Sequence, residues 1–395
     1  MRRRKSPIII IIFLIIFSIL AFLGIRMVTV PTDLAVNQTL ESPQLIDLKS
    51  IVSTEPTASK SNIKYAVAVD NNLVYSSSET PQPTASTAKM ILALMIMEKN
   101  PFSLSETGES ITITPEFYQL YQNAVAEDGS TVPVEIGEVL SEYDALAGTL
   151  IASANNLADS LAIWAFGSLA EYCDFASTHL AEWGIKDTTI SDASGFSPST
   201  TSTAADLTII GQKLMQNPVL SEIVGLKTYT LPIAGQIENT NQLLGISDIT
   251  GVKTGYIGTD SGYCLISAYR LGEHTITTSV LDANTRADSF AYTKNLIDTI
   301  QNHLAEITIA TTGTEVGNYD SWWTGQIPIT VQEDVKILNW QPTTPVISLN
   351  TTGNAQGNTL DITINGETKS YATSTPDFST SPSPAQRFER TISLK

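Results

Sequence analysis

The chain has 395 residues, with 22 Lys and Arg against 40 Asp and Glu, and a formal net charge of -18 at pH 7. Past the first five residues nothing forms a basic patch, which excludes a nucleic-acid partner. Two cysteines, Cys173 and Cys264, are too few for a disulfide framework or a metal centre. Cys173 falls on a helical stretch and Cys264 in an apolar strand, so both read as thiols and not as a bridge.

Met1-Arg-Arg-Arg-Lys5 precedes an apolar run from Ile8 to Ile25, 18 residues without a charge and with Ser18 as the only polar side chain. That length crosses a bilayer as a helix. The positive residues ahead of it would stay in the cytoplasm and place all that follows outside. No small-x-small site follows Leu20, so residues 1–30 read as an uncleaved membrane anchor in preference to a cleaved signal. Residues 31–60, rich in Ser, Thr, Pro, Gln and Asn with no sustained period, read as a flexible tether.

The first chemical signal is Ser86-Thr-Ala-Lys89. It follows Pro81 and Pro83 and precedes the apolar run Met90 to Met97, whose composition favours a buried helix. Three residues apart at a helix start, Ser86 and Lys89 share one face. A serine hydroxyl is a poor nucleophile until a base takes its proton, and a lysine serves as that base only where burial or a second cation lowers its pKa. Lys253 is a candidate second cation. None of His179, His274 and His303 lies in a motif, and no Gly-x-Ser-x-Gly elbow occurs, so a Ser-His-Asp arrangement has little support.

Ser153-Ala-Asn155 lies between two helical stretches, Tyr143 to Ile151 and Leu157 to Phe166. By itself it reads as a helix junction with Ser153 or Asn155 as N-cap. Beside the first motif, Ser153 becomes a candidate proton relay to a leaving amine, and Asn155 a candidate donor to a substrate amide. Lys253-Thr-Gly255 reads as a strand feature, followed by the strands Tyr263 to Tyr269 and Thr275 to Leu281 with short turns. An extended peptide could add to such an edge, with Lys253 and Thr254 facing its terminal carboxylate and Gly255 leaving room for close approach. Taken singly, Lys253 and Gly255 read equally well as an exposed lysine and a turn residue.

In order and content these segments resemble the D-alanyl-D-alanine carboxypeptidases, low-molecular-mass penicillin-binding proteins of the serine-lysine class. The resemblance rests on Pro83-Thr-Ala-Ser-Thr-Ala-Lys-Met90, Leu150-Ile-Ala-Ser-Ala-Asn-Asn-Leu-Ala158, Asn239-Thr-Asn-Gln-Leu-Leu244, Gly251-Val-Lys-Thr-Gly-Tyr256 and Ser261-Gly-Tyr-Cys-Leu265, and it spans roughly residues 60 to 300. It implies an acyl-enzyme on Ser86 with Lys89 as base, and an oxyanion held by the N–H groups of Ser86 and Tyr256. It also implies peptidoglycan stem peptides as substrates, penicillins as covalent inhibitors, and no cofactor or metal. The chain departs from the usual pattern at Ala154, often glycine, at Asn156, often aspartate, and at Gln242, often arginine. These departures bear on loop geometry and substrate preference. A DD-endopeptidase on the same fold stays open, since the same residues serve both reactions. A β-lactamase would need a Glu-x-x-Leu-Asn segment, which is absent, and a non-catalytic peptidoglycan binder is expected to have lost Ser86, Lys89 or Lys253.

From about Glu306 the texture changes. Ile307–Ala310, Gln326–Val331, Val335–Trp340, Val346–Leu349 and Leu360–Ile364 alternate β-branched and polar residues between Gly, Asn, Asp and Pro. This reads as a small all-β sandwich, in which Trp322-Trp323 would be half core and half rim. Tyr371 to Pro384 reads as a Ser/Thr/Pro-rich tail, and Arg387 to Lys395 shows no convincing apolar face. The expected order is therefore anchor (1–30), tether (31–60), a serine-peptidase domain (61–304) of the β-lactamase/penicillin-binding type with an antiparallel sheet covered by helices, and a β domain with its tail (305–395). The expected location is the cell membrane, with the peptidase domain outside the cytoplasm.

Overall fold

The computed structural model describes residues 7–29, 32–54 and 63–393, which divide into two compact units, 46–305 and the combination of 1–45 with 306–395. The basic residues Arg2, Arg3, Arg4 and Lys5, and positions 31 and 55–60 of the expected tether, lie outside the described residues.

The larger unit is built on a five-stranded antiparallel sheet in the order Ile249–Gly255, Tyr263–Leu271, His274–Ala283, Lys64–Val69, Asn72–Ser76. Lys64–Val69 is buried at every position from Tyr65 onward, because helices cover both faces of the sheet. On one face lies Ala204–Gln216, where Thr208 Oγ1 donates to Ser279 Oγ at 2.6 Å and a Cβ on Gly211 would come within 2.8 Å of Ile266. On the other, the Tyr65 ring meets Tyr292 of Arg286–His303 at 5.3 Å, and its hydroxyl donates to the carbonyl of Val52 in the helix Leu48–Ser53. The strand Ile249–Gly255 is an edge, with Lys253 opposite Ile266 and Gly255 opposite Cys264. This is the strand order that the alternation around the Lys-Thr-Gly segment suggests.

Beside the sheet sits a helical layer. Lys89–Lys99 is its centre, with every residue from Lys89 to Met97 buried, so that no polar face is required of the sequence. Burying each Leu, Ile or Met there stabilises by roughly 1.5–3 kcal/mol. Around it pack Glu142–Leu150, Asn155–Phe166 and Leu169–Glu182. Glu142–Leu150 starts at a capping box made by Ser141 and Asp144. Cys173 is half-buried on Leu169–Glu182 and Cys264 is buried in its strand, each as a free thiol.

The second unit holds a six-stranded sheet in the order Ala35–Gln38, Glu315–Ser321, Gly325–Val331, Glu367–Ser374, Thr359–Ile364, Val346–Asn350. A two-stranded sheet, Glu306–Ala310 with Val335–Leu338, shares its core, which includes Val316, Tyr319, Ile329, Ile337, Leu360 and Tyr371. Three sequence expectations are corrected here. The segment 31–60 is not a uniform tether. Ala35–Gln38 pairs antiparallel with Glu315–Ser321, and Leu48–Ser53 is a helix whose Leu48 and Val52 are fully buried. Tyr371 to Ser374 is no tail, since it completes a strand whose Tyr371 sits in the core. Pro384–Ile392 is a capped helix with Phe388 and Ile392 on its exposed surface, where composition showed no apolar face. In each case long-range pairing or capping supplied what local hydrophobicity did not. Trp322 and Trp323 meet edge-on at 5.6 Å, with Trp323 buried and its Nε1 donating to the carbonyl of Ser379.

In the same unit Pro7–Thr29 is one continuous helix, and Ile11–Thr29 is long and apolar enough to cross a membrane.

Candidate active site

Ser86 lies in a 3-10 turn, Ala85–Ala88, that runs directly into the helix Lys89–Lys99. N–H groups in such a first turn have no partner within the helix. Ala85, just before the serine, is held at φ 49° and Ser153 at φ 63°, left-handed conformations that cost a non-glycine residue about 1 kcal/mol or more. Strain of this kind persists where neighbours over-determine the backbone. Gly195 is one such neighbour, since a Cβ there would come within 1.9 Å of the Ala85 carbonyl oxygen.

Lys89 is fully buried, and its Nζ lies 2.9 Å from Ser86 Oγ, 2.8 Å from Asn155 Oδ1 and 2.7 Å from the carbonyl oxygen of Ser194. Two of these partners only accept. A neutral amine has two N–H donors and one lone pair, so donation to Asn155 and Ser194 leaves the lone pair facing the hydroxyl of Ser86, the one partner able to give up a proton. Burial lowers the Lys89 pKa to about 7, against an opposing pull from Asp159 and Asp192. The cause is desolvation. Lys253, also buried, is depressed well below its ordinary range by desolvation first and by the Lys89 charge second.

Ser86, Ser153, Asn155, Thr254, Gly255 and Tyr256 line one cleft of about 310 Å³. Gly255 is there for want of a side chain, because a Cβ would sit 3.0 Å from the Thr84 carbonyl oxygen and 3.2 Å from Ser86 N. Tyr256 is half exposed and stacks on Tyr263 at 4.0 Å to form one wall. Thr254 Oγ1 lies 2.6 Å from Thr240 Oγ1, so the two hydroxyls form a pair on the cleft surface. Of the eight residues singled out in the sequence, Lys89 and Lys253 alone stay off the lining. Lys253 is 1 % exposed, with its Nζ 3.3 Å from the Thr254 carbonyl oxygen, which is not the exposed strand-edge cation that its motif suggests.

The middle segment also differs from a simple cap. The N-cap of Asn155–Phe166 is Ala154, which makes no side-chain cap bond, while Ser153 and Asn155 both face the cleft. Ala154 has φ -63° and ψ 119°, a conformation that needs no glycine. Asn156 accepts from Val132 N at 3.1 Å and donates to the Val132 carbonyl at 3.0 Å. An ionised aspartate could make only the first of these bonds. The amide thus pins the loop that brings Ser130 to the cleft, and Asn155 N donates to the Ser130 carbonyl.

Other cleft residues carry little signature in the sequence. Arg286, first residue of its helix, is an exposed cation on the lining, set where the chain leaves the strand His274–Ala283. Thr240 sits between Asn239 and Asn241, whose side chains bond to backbone: Asn239 to the Val224 and Leu226 carbonyls, Asn241 to that of Gly251. The Asn-Thr-Asn segment thus serves as a bracket that presents one hydroxyl. Ser194 contributes only its main chain.

A family model described as D-alanyl-D-alanine carboxypeptidase, Peptidase S11, matches residues 51–285. The chain belongs to this family. Among curated relatives of this carboxypeptidase family, it is similar to D-alanyl-D-alanine carboxypeptidase DacF of Bacillus subtilis, 26% identical over 222 residues, which cover 54% of this chain and 54% of DacF. A D-alanyl-D-alanine endopeptidase of Pseudomonas aeruginosa is 26% identical over 227 residues, 53% of this chain and 66% of that protein. The chain thus spans about half to two thirds of the length of these relatives. Among solved structures, a peptidoglycan synthesis regulatory factor (PBP3) from Streptococcus pneumoniae superposes with a TM-score of 0.62 at 20% identity, covering 80% of this chain and 98% of that one. The fold is that of the penicillin-binding DD-peptidases.

Proposed function

We propose that this carboxypeptidase-family chain is a serine-type D-Ala-D-Ala carboxypeptidase that removes the terminal D-alanine from peptidoglycan stem peptides. The observation that carries the reading is the contact set of Lys89, a buried amine 2.9 Å from Ser86 Oγ whose other two partners, Asn155 Oδ1 and the Ser194 carbonyl, can only accept. Ser86 Oγ attacks the carbonyl carbon of the penultimate D-alanine as Lys89 takes its proton. The N–H groups of Ser86 and Tyr256 hold the oxyanion, and the Nδ2 of Asn155 donates to the substrate amide. Ser153 passes a proton to the leaving nitrogen, the C–N bond breaks and D-alanine departs. Water then releases the shortened peptide by the same steps in reverse. The terminal carboxylate is met by the Thr254 and Thr240 hydroxyls and by Arg286, the cation on the cleft lining, while Lys253 stays buried off that lining. Penicillins acylate Ser86 and turn over slowly.

A free carboxylate on the leaving residue favours the carboxypeptidase over the endopeptidase reading, because Arg286 gives it a partner. Residues 61–304 form the catalytic domain in this reading. Pro7–Thr29 anchors the protein in the cell membrane by a single pass, with that domain outside the cytoplasm. Incubation of the full-length protein with a stem pentapeptide and with a cross-linked dimer, followed by mass analysis, tests the assignment. Release of D-alanine from the pentapeptide is expected, and cleavage of the dimer alone would overturn it. Retention of residue 1 and of membrane attachment after a high-salt wash tests the anchor.

A further inference from the structure

Two of the three groups holding Lys89 stand beside a carboxyl group. Asn155 is followed one helical turn later by Asp159, and residues four apart on a helix share a face. Ser194, whose carbonyl caps the amine, is two residues after Asp192. The two carboxylates differ in what they do locally. Asp192 accepts hydrogen bonds from Ser194 Oγ at 3.0 Å, Phe196 N at 2.8 Å, Ser197 N at 3.2 Å and the Thr200 hydroxyl, so its oxygens are spent on shaping the 191–200 loop. Asp159 is partly buried, and among the described residues no hydrogen bond to its carboxylate is seen. Once ionised, its charge is therefore left to act on Lys89.

We propose that Asp159 is a positioning residue for the general base, stabilising the ammonium that forms when Lys89 takes the proton of Ser86. This rests on the serine-lysine reading above. The logic is that of a third group behind a base, as in triads, where the carboxylate orients the base and stabilises its protonated form. No atom other than the serine proton moves: it passes from Ser86 Oγ to Lys89 Nζ, and Asp159 keeps its own protonation through the step.

The electrostatics agree. Asp159 and Asp192 both hold the Lys89 pKa up against desolvation, and Lys89 in turn lowers Asp159 while burial raises it to about 7. The groups facing the pair are few and named. Asp192 from the 191–200 loop and Glu127 from the end of Pro115–Ala126 raise Asp159. Tyr172 of Leu169–Glu182 is fully buried beside both carboxylates, its hydroxyl without a partner among the described residues and its own pKa raised by burial first. Lys253 of the edge strand is the other buried amine that acts on Lys89, and Asp192 raises the Cys173 thiol after burial does.

The test is the second-order rate of acylation of the full-length protein in detergent by a labelled penicillin, measured from about pH 5 to about pH 10. The rise on the acid side reports the free base. Asp159→Asn is expected to move that rise about one unit toward acid, because the proton on Lys89 loses its stabilising charge. The plateau should fall about tenfold, because the ammonium in the transition state loses it too. Asp159→Glu should bring the rise back toward wild type, which a purely structural role would not do. Asp159→Ser, smaller and neutral, gives the same reading if the amide variant does not fold. An unmoved rise in a folded neutral variant overturns the inference alone. Absence of acylation in the wild type overturns the proposed function, and the inference with it.

Discussion

The two units of this chain bury polar groups in opposite ways. In the β unit the buried polar groups are held in their ordinary charge states: the Tyr319 hydroxyl donates to Asn358 Oδ1 at 2.9 Å and accepts from Gly353 N at 3.2 Å, while Asn358 Nδ2 donates to the Asn354 carbonyl at 2.9 Å. The one buried carboxylate among the described residues there, Asp361, is kept below its usual range by side-chain hydrogen bonds that outweigh its burial, Asn350 Nδ2 donating to it at 2.7 Å. In the larger unit, two lysines are desolvated, Glu142 is buried with one carboxyl oxygen unpartnered among the described residues, and Asp159, raised to about 7 by burial, has no hydrogen bond to its carboxyl group among those residues. Holding groups in their ordinary charge states makes a unit that simply keeps its shape. Leaving titratable groups desolvated costs stability and shifts their pKa values toward neutrality, where a proton can be moved.

The largest effect that would break this contrast concerns the first motif. Ser86→Ala and Lys89→Met should each abolish covalent penicillin labelling and lower turnover at least about a thousandfold. Lys89→Met should leave the melting temperature close to that of the wild type, since losing the buried amine's desolvation penalty offsets the Asn155 and Ser194 acceptors left without a donor. A marked fall in melting temperature for Lys89→Met would mean that the amine is there for structure.

A smaller effect separates the exposed cation from the hidden one. Arg286→Ala should raise KM for a peptide with a free terminal carboxylate by about tenfold to a hundredfold, and should spare an amidated analogue. Lys253→Ala should slow acylation of acid and amide alike, because its amine lies off the cleft lining. Steady-state kinetics on the two peptides decide the matter, and selective loss on the acid in Lys253→Ala would return the carboxylate to Lys253.

Glu142 sharpens the stability side. Burial raises its pKa to about 7 against the opposing bond from Glu109 N, so the folded state holds a proton that the unfolded chain releases. Its contribution is fully present below about pH 4.5 and is lost as pH rises through about 7. Glu142→Gln should therefore remove this loss and stabilise the protein by about 2 kcal/mol at neutral and alkaline pH relative to the same comparison at pH 4. Denaturant melts at the two pH values check this, and an unchanged difference would place Glu142 among ordinary carboxylates.

The smallest expected change lies in the β unit. Tyr319→Phe should cost about 1 kcal/mol without altering the peptidase rate at any pH, because only a neutral hydrogen-bond pair is lost.

What the sequence alone determined are features set by near neighbours in the chain. Ser86 and Lys89 share a face because a helix turns in under four residues, Met90 to Met97 is buried because it is apolar on every side, and Gly255 is needed wherever a backbone must approach a serine. Motif order was enough to state the family and the antiparallel sheet. Tertiary structure decided what depends on partners distant in sequence. The carbonyl of Ser194 binds Lys89 through the main chain, which has no side-chain signature. Arg286 reaches the cleft only because its helix starts where the strand before it ends. Ala35–Gln38 becomes a strand because Glu315–Ser321 offers it an open edge. Lys253 looks like any exposed lysine until the sheet and the turn Ala85–Ala88 pack around its strand, and desolvation, a property of everything around a group, then sets its pKa.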